Sequence, residues 1–290
     1  MSSILTRGTV LTAIITIIII MIPTLISIGA FHLQTISVFE ALAFFAAALV
    51  FWRRAKEESY FEAKVFDGFL LSFIVGWLSG RAGYVLFNWS QFGIDVLKWL
   101  NVVHYPGNHL FSFLIGATVY LYFYAKKQKW DEFEILDWWS QSLSTGLLWL
   151  SIGSFLAGIG FGHATNLPWG IVFPGVFEPR HPVQIYFVIF YLAMFKLLDW
   201  LEFNYRSFEW YRSGKKTAQT GFLFITFVIS YALFALLAGL VQPAQLTIGT
   251  LVLDGLVYLL VLFFGLYLLL LRANRSFFSL QEKKFFAIKK

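Results

Sequence analysis

Arg81 is the residue best placed to do chemistry, because it stands where a cation is costly. It falls about 13 residues, or roughly 20 Å, into the apolar stretch Gly68–Phe87. An ionised side chain inside a membrane span marks a site by default. A guanidinium at that depth either grips a phosphate with its planar fork or snorkels to the interface without further function. Small residues surround it (Gly76, Ser79, Gly80, Ala82 and Gly83), and Gly76-x-x-x-Gly80 predicts a close-packing helix face. A second group opens another apolar stretch: Arg180-His181-Pro182-Val183-Gln184-Ile185-Tyr186. Pro182 suits the first helical position, which makes His181 the N-cap and Gln184 the third residue. That spacing fits a polar cap related to the capping box. It fits equally an anion held in the field of the helix end, with Arg180 adding charge.

Glu40 and Asp254 fall within two further apolar stretches, each as a base or as half of a buried pair with Arg81. His109 and His163 stand at the edges of loops, as interfacial hydrogen-bonders or as bases. The five histidines show no metal-ligand spacing, and no Gly-Lys phosphate loop is present. Cysteine is absent, which excludes a thiolate ligand or nucleophile from the chain itself. Neither a metal nor a cofactor is expected.

The elements that must hold these residues are set by composition. Of 290 residues 59% are hydrophobic and only 13% charged, against roughly 25% charged in a soluble domain. Such a chain cannot hide its apolar surface in water, and it carries too little charge for disorder or nucleic-acid binding. The expected fold is an all-α polytopic membrane protein with about eight transmembrane helices. They are Thr9–Ala30, Ser37–Trp52, Gly68–Phe87, His109–Ala125, Phe133–Gly160, His181–Leu201, Thr220–Val241 and Ile248–Leu271. Arg7 precedes the first, but no A-x-A-like site follows, so it is expected as an uncleaved helix.

Eighteen of the 22 Lys and Arg residues fall on one set of alternate loops and the two ends, whereas Lys98 and Arg180 alone fall on the other. By the positive-inside rule both termini are cytoplasmic. Arg81 and Lys196 lie within spans. The outer loops, Asn88–Asn108, Phe161–Arg180 and Gln242–Thr247, mix turn formers with Trp and Phe, as backbone at a membrane–water interface does. No internal repeat is visible, which weighs against inverted-repeat transporters.

Several of these blocks together resemble one family. Gly80-Arg81-Ala82-Gly83-Tyr84-Val85-Leu86-Phe87, followed by Gln91-Phe92 and Leu114-Ile115-Gly116, is similar to a core helix and its sequel in bacterial prolipoprotein diacylglyceryl transferases. Leu167-Pro168-Trp169-Gly170-Ile171-Val172-Phe173-Pro174 resembles their outer loop, and Arg180-His181-Pro182-Val183-Gln184-Ile185-Tyr186 their histidine–proline–glutamine–tyrosine motif. The blocks run in family order from about Ile28 to Arg272. The resemblance implies a seven-helix core at 31–272, an extra N-terminal transmembrane helix at 1–30 and a basic cytoplasmic tail at 273–290. It also implies a multi-pass protein of the bacterial cytoplasmic (inner) membrane and a cofactor-free enzyme of lipoprotein biosynthesis. Its partners would be the lipid bilayer, phosphatidylglycerol and a prolipoprotein signal peptide, whose lipobox cysteine thiol receives the diacylglyceryl group. On that reading Arg81, Tyr84, Arg180, Gln184 and Tyr186 hold the phospholipid, and His181 or His163 serves as the thiol base.

Four family positions depart from the pattern. The stretch Gly153–Gly162 lacks the family's arginine, asparagine and glutamate, and Phe111-Ser112-Phe113 stands in place of a histidine and glycine pair. Ala235 falls where a second arginine is expected, and Phe39 where a tyrosine is. Two functions follow: a transferase with a rebuilt site, or a catalytically inactive relative that binds phospholipid or signal-peptide helices.

Overall fold

The computed structural model describes residues 21–29, 31–102, 104–205, 218–244, 247–248 and 251–272. Seven long helices dominate them: α1 (Thr35–Glu57), α2 (Glu62–Phe87), α5 (Leu110–Gln128), α6 (Glu132–Ala157), α7 (Val183–Tyr205), α8 (Phe222–Ala238) and α9 (Asp254–Arg272). Two short helices, α3 (Trp89–Phe92) and α4 (Val96–Leu100), occupy the connection from α2 to α5. Helices α1, α2, α7 and α9 are each long and apolar enough to cross a membrane, and α8 is a shorter apolar helix. These seven helices coincide with the second to eighth expected spans, and the protein is a helical membrane protein.

The first expected span needs correction. Thr24–Ile28 is a strand, β1, paired antiparallel with β2 (Phe31–Gln34), and Gly29 turns between them with φ +58°. Pro23 and the alternation of Thr24, Ile26 and Ile28 favour an extended chain, since β-branched side chains are stiff and fit a pleated surface. Hydropathy alone does not separate an isoleucine-rich strand from a helix. The hairpin is tied down by Ile22 N–H donating to the Leu156 carbonyl (2.8 Å) and by Thr35, whose N–H bonds Pro23 O and whose hydroxyl bonds Ile22 O. Residues 1–20 of that expected helix, and the 273–290 tail, lie outside the described residues. At the other end the eighth span starts later than expected. A short hairpin, β3 (Thr247–Ile248) with β4 (Leu251–Val252), precedes α9.

The chain forms two compact units. The first comprises Met1–Ala47, Ser142–Leu197 and Phe234–Ala244; the second comprises Ala48–Gln141, Leu198–Leu233 and Gln245–Lys290. In the second, Phe51, Phe69, Trp138 and Trp139 are fully buried, with ring centroids 5.4–6.3 Å apart. Edge-to-face aromatic packing of this kind adds to the area it buries. Helices α2 and α5 meet there along the glycine face foreseen from the sequence. A side chain at Gly76 would come within 2.9 Å of the Ala117 methyl, and side chains at Gly80 and Gly83 would collide with Asn108 and Ser112. Backbones approach this closely only over small residues, which is how helices associate without a hydrophobic drive between them.

Two polar networks complete the second unit. Arg54 bonds Glu57 and Asp199 (3.1 Å each), Glu202 (2.6 Å) and the Gln141 amide oxygen (2.7 Å). Asp137, fully buried on α6, accepts the Gly221 and Phe224 N–H groups at 2.8 Å each and so caps α8. In the first unit, Gly146 lies against the Ala43 carbonyl, and Phe190 stacks on Phe234 at 4.2 Å.

Candidate functional site

The first unit gathers most of the expected site. After α6 the chain turns at Gly158 and Gly160, with φ +69° and +75°, values that favour glycine. It then runs out to Trp169 and returns along Ile171 to Arg180. Antiparallel bridges Ala164–Arg180 and Ile171–Arg180 hold this loop, with Arg180 N–H to Ile171 O at 2.8 Å. Next to them Gly162 N–H donates to His181 O (2.9 Å), and His181 N–H donates to His163 O (3.1 Å). That pairing sets the two candidate bases side by side along the backbone. It also explains Gly162, where a side chain would strike the Val241 carbonyl and His181.

Arg180 lies over the Phe161 ring, 5.5 Å from its centroid, and Phe161 stacks on buried Phe173 at 4.9 Å. The cation therefore rests on an aromatic floor. Tyr186 is the polar hub. Its hydroxyl accepts the Trp169 indole N–H at 2.9 Å and lies 3.2 Å from His181 Nδ1. Trp169 was quoted in the sequence only as part of an outer loop; this bond gives it a site role, and nothing in its spacing announced it.

The helix opens at Val183, one residue later than Pro182 predicted, and the expected cap is not made. Gln184 turns away from the helix end and donates from Nε2 to the Ile159 carbonyl at 2.6 Å. His181 uses its ring on Tyr186 instead. His163 is exposed, and Glu40 is exposed on α1.

In the second unit, Arg81 is only 6% exposed and does not reach outward. Its Nε donates to Trp99 O (2.8 Å), Nη1 to Tyr105 O (2.7 Å) and Gly107 O (3.0 Å), and Nη2 to Lys98 O (3.2 Å). The guanidinium lies 5.2 Å from the Phe92 centroid and 5.7 Å from that of Tyr84. Four of the five N–H donors of a guanidinium are thus spent on backbone carbonyls of the loop between α2 and α5. This corrects the expectation of a fork open to phosphate, and equally that of a snorkelling side chain. Tyr84 packs against Gly107 and edge-on to Phe92. His109 is an N-cap: its Nδ1 accepts Ser112 N–H at 3.3 Å and lies 2.8 Å from the Ser112 hydroxyl. Asp254 is buried at the first position of α9. The expected partnership of Glu40 or Asp254 with Arg81 is not among the bonds Arg81 makes.

These features define a class: a helical membrane protein whose polar residues cluster on loops at helix ends, and among the described residues no group of His, Asp and Glu is arranged to hold a metal. The sequence pattern of the prolipoprotein diacylglyceryl transferases matches residues 23–271. The phosphatidylglycerol–prolipoprotein diacylglyceryl transferase of Shewanella sp. (strain ANA-3) is 31% identical over 241 residues, which are 80% of this chain and 85% of that protein. Its counterpart in Solidesulfovibrio magneticus is 30% identical over 264 residues, 87% of this chain and 94% of the relative. The chain belongs to the prolipoprotein diacylglyceryl transferase family. The match begins at residue 23, so the β1–β2 hairpin lies within it.

The departures from the family pattern have structural correlates. Gly153 packs directly on Phe39, where a side chain at 153 would meet the Phe39 Cβ. Ala235 is buried, 2% exposed.

Proposed function

We propose that this protein transfers a diacylglyceryl group from phosphatidylglycerol to the cysteine thiol of a prolipoprotein. The observation that carries this reading is the cluster on the α7 motif: Arg180, His181, Gln184 and Tyr186 with Trp169, in a chain of this family. In the reaction the thiol sulfur attacks the glyceryl carbon bonded to the phosphate oxygen. A C–S bond forms, the C–O bond breaks, glycerol phosphate leaves with the electron pair, and the thiol proton passes to a base. Arg180 supplies positive charge near the departing phosphate. For His181 to be the base, its Nδ1–H must donate to the Tyr186 oxygen, which has lone pairs for this bond and for Trp169. Nε2 is then free to accept the thiol proton. His163 is the alternative base. Arg81 fixes the loop between α2 and α5 within the second unit.

A second reading, a non-catalytic binder of phospholipid or signal-peptide helices, is favoured by Ala235 and by the Phe39–Gly153 contact. The two separate in a host depleted of its own transferase. Expression of this chain is expected to restore diacylglyceryl modification of a model prolipoprotein. Restoration should fall at least about 100-fold in His181→Ala, about the least that general-base catalysis contributes. No modification by protein that is inserted and carries phospholipid leaves the binder.

In our reading the chain sits in the cytoplasmic membrane with both termini inside, supported by the Lys/Arg asymmetry. Single cysteines placed at Asn101, Asn166 and Gln242 should react with an impermeant maleimide in intact cells, and those at Ser59, Gln128 and Ser213 should not. Labelling of the second set reverses the orientation.

A further inference from the structure

The loop that Arg81 gathers carries an apolar knuckle. On α4, Leu100 follows Val96 by four residues and Leu97 by three, so the three side chains are neighbours on one face, and Ile94 precedes them. These four side chains are 54–87% exposed. The backbone beneath them is closed to solvent chemistry. Arg81 takes the carbonyls of Lys98 and Trp99, and those of Leu97, Leu100 and Asn101 accept the N–H groups of Asn101, Val102 and Tyr105. Five consecutive carbonyls are therefore bonded. The Trp99 indole N–H donates to the Gly93 carbonyl at 3.1 Å. Asp95 caps α4 by accepting the Leu97 and Lys98 N–H groups, and it pairs with Lys98 Nζ at 3.6 Å. Asp95 and Lys98 are the only formally charged residues between Phe87 and His109. A loop in water has no need of such closure, because water bonds its carbonyls; hydrocarbon does not.

We propose that α4 is a lipid anchor: Ile94, Val96, Leu97 and Leu100 enter the acyl layer of the leaflet at the Phe87 end of α2, and Arg81 permits this by satisfying the carbonyls of the loop. Three observations favour lipid as the occupant. The knuckle continues along the chain from the exposed row Ile74, Leu78 and Leu86 of α2, a helix long and apolar enough to cross a membrane. Trp89 and Trp99, with ring centroids 6.0 Å apart, supply the amphipathic rings that settle at head-group level. The balanced pair of Asp95 and Lys98 offers anionic head groups no net charge, so the anchor holds by buried apolar area alone. It engages acyl chains rather than a head group, and it stands whether or not the chain transfers lipid.

The chain has no cysteine, so a fluorophore can be attached singly at Ile94→Cys and, as a control on the same loop, at His104→Cys. Both are read in the full chain in lipid nanodiscs. The label at 94 should be shielded from aqueous iodide at least about tenfold relative to that at 104, the partition that burying one such side chain supports. It should also be quenched by nitroxides carried on the acyl chains. Both effects should be equal in phosphatidylcholine with and without added phosphatidylglycerol. Leu97→Asp should return the label at 94 to iodide. Arg81→Met, which opens the loop and leaves the knuckle intact, should do the same and serves if the aspartate variant does not insert. Iodide access at 94 equal to that at 104 overturns the proposal, as does shielding that survives both substitutions. Shielding without acyl quenching overturns it in favour of a second copy of the chain as the cover. Shielding that requires phosphatidylglycerol overturns it in favour of a head-group contact.

Discussion

Substitution of Arg81 by methionine releases the outer loop while leaving the helices it joins in place. Methionine keeps the unbranched apolar stem of arginine but supplies no donor. The carbonyls of Lys98, Trp99, Tyr105 and Gly107 then lose the one group that gathers them. Hydrogen bonds to a charged donor contribute about 1.5–3 kcal/mol each, so the loop cannot remain closed over four empty positions. It swings out and takes its carbonyls to water, which limits the loss to local opening rather than global unfolding. The α2–α5 contact persists, because it rests on Gly76, Gly80 and Gly83. Hydrogen exchange at residues 98–107 should rise on the order of 100-fold, equivalent to about 3 kcal/mol of lost protection, with α2 and α5 unchanged. Arg81→Lys should rescue little: one ammonium cannot reach carbonyls that a planar fork meets from three nitrogens. Unchanged exchange in the methionine variant sinks the clasp.

This result bears on what could be read in the sequence. The depth of Arg81 in an apolar run was visible, and so was its small-residue surround. Its partners were not, since backbone carbonyls of a loop 17 to 26 residues away carry no side-chain signature. Seven helices were legible as apolar runs, four of them long and apolar enough to cross a membrane, yet the β1–β2 hairpin was not, because isoleucine-rich segments look alike by hydropathy in either conformation. Pro182 announced the start of α7 to within one residue. The use made of Gln184 was hidden, because it depends on a carbonyl at Ile159 that only the folded glycine turns present. The first half of α6 carries Asp137, Ser140 and Gln141. That it contains the cap of a different helix was beyond any local pattern.

Loss of that cap should be the most destabilising single change in the second unit. Asp137 is 0% exposed and reaches 84 and 87 residues along the chain to Gly221 and Phe224, one carboxylate oxygen for each N–H. The first N–H groups of α8 have no intrahelical acceptor, and the helix end carries partial positive charge, so a carboxylate meets both demands. In Asp137→Ala the two N–H groups are left unpaired where water does not reach, and the cost should be about 3–5 kcal/mol, as for other buried charged partners removed singly. Asp137→Asn keeps one acceptor oxygen but turns an NH₂ toward the other N–H and removes the charge. It should fall between the two. The order wild type, Asn, Ala is expected in the midpoint of unfolding of the detergent-purified protein. An alanine variant within about 1 kcal/mol of the wild type, the range of an ordinary surface change or little more, would show that α8 is held by its apolar packing alone.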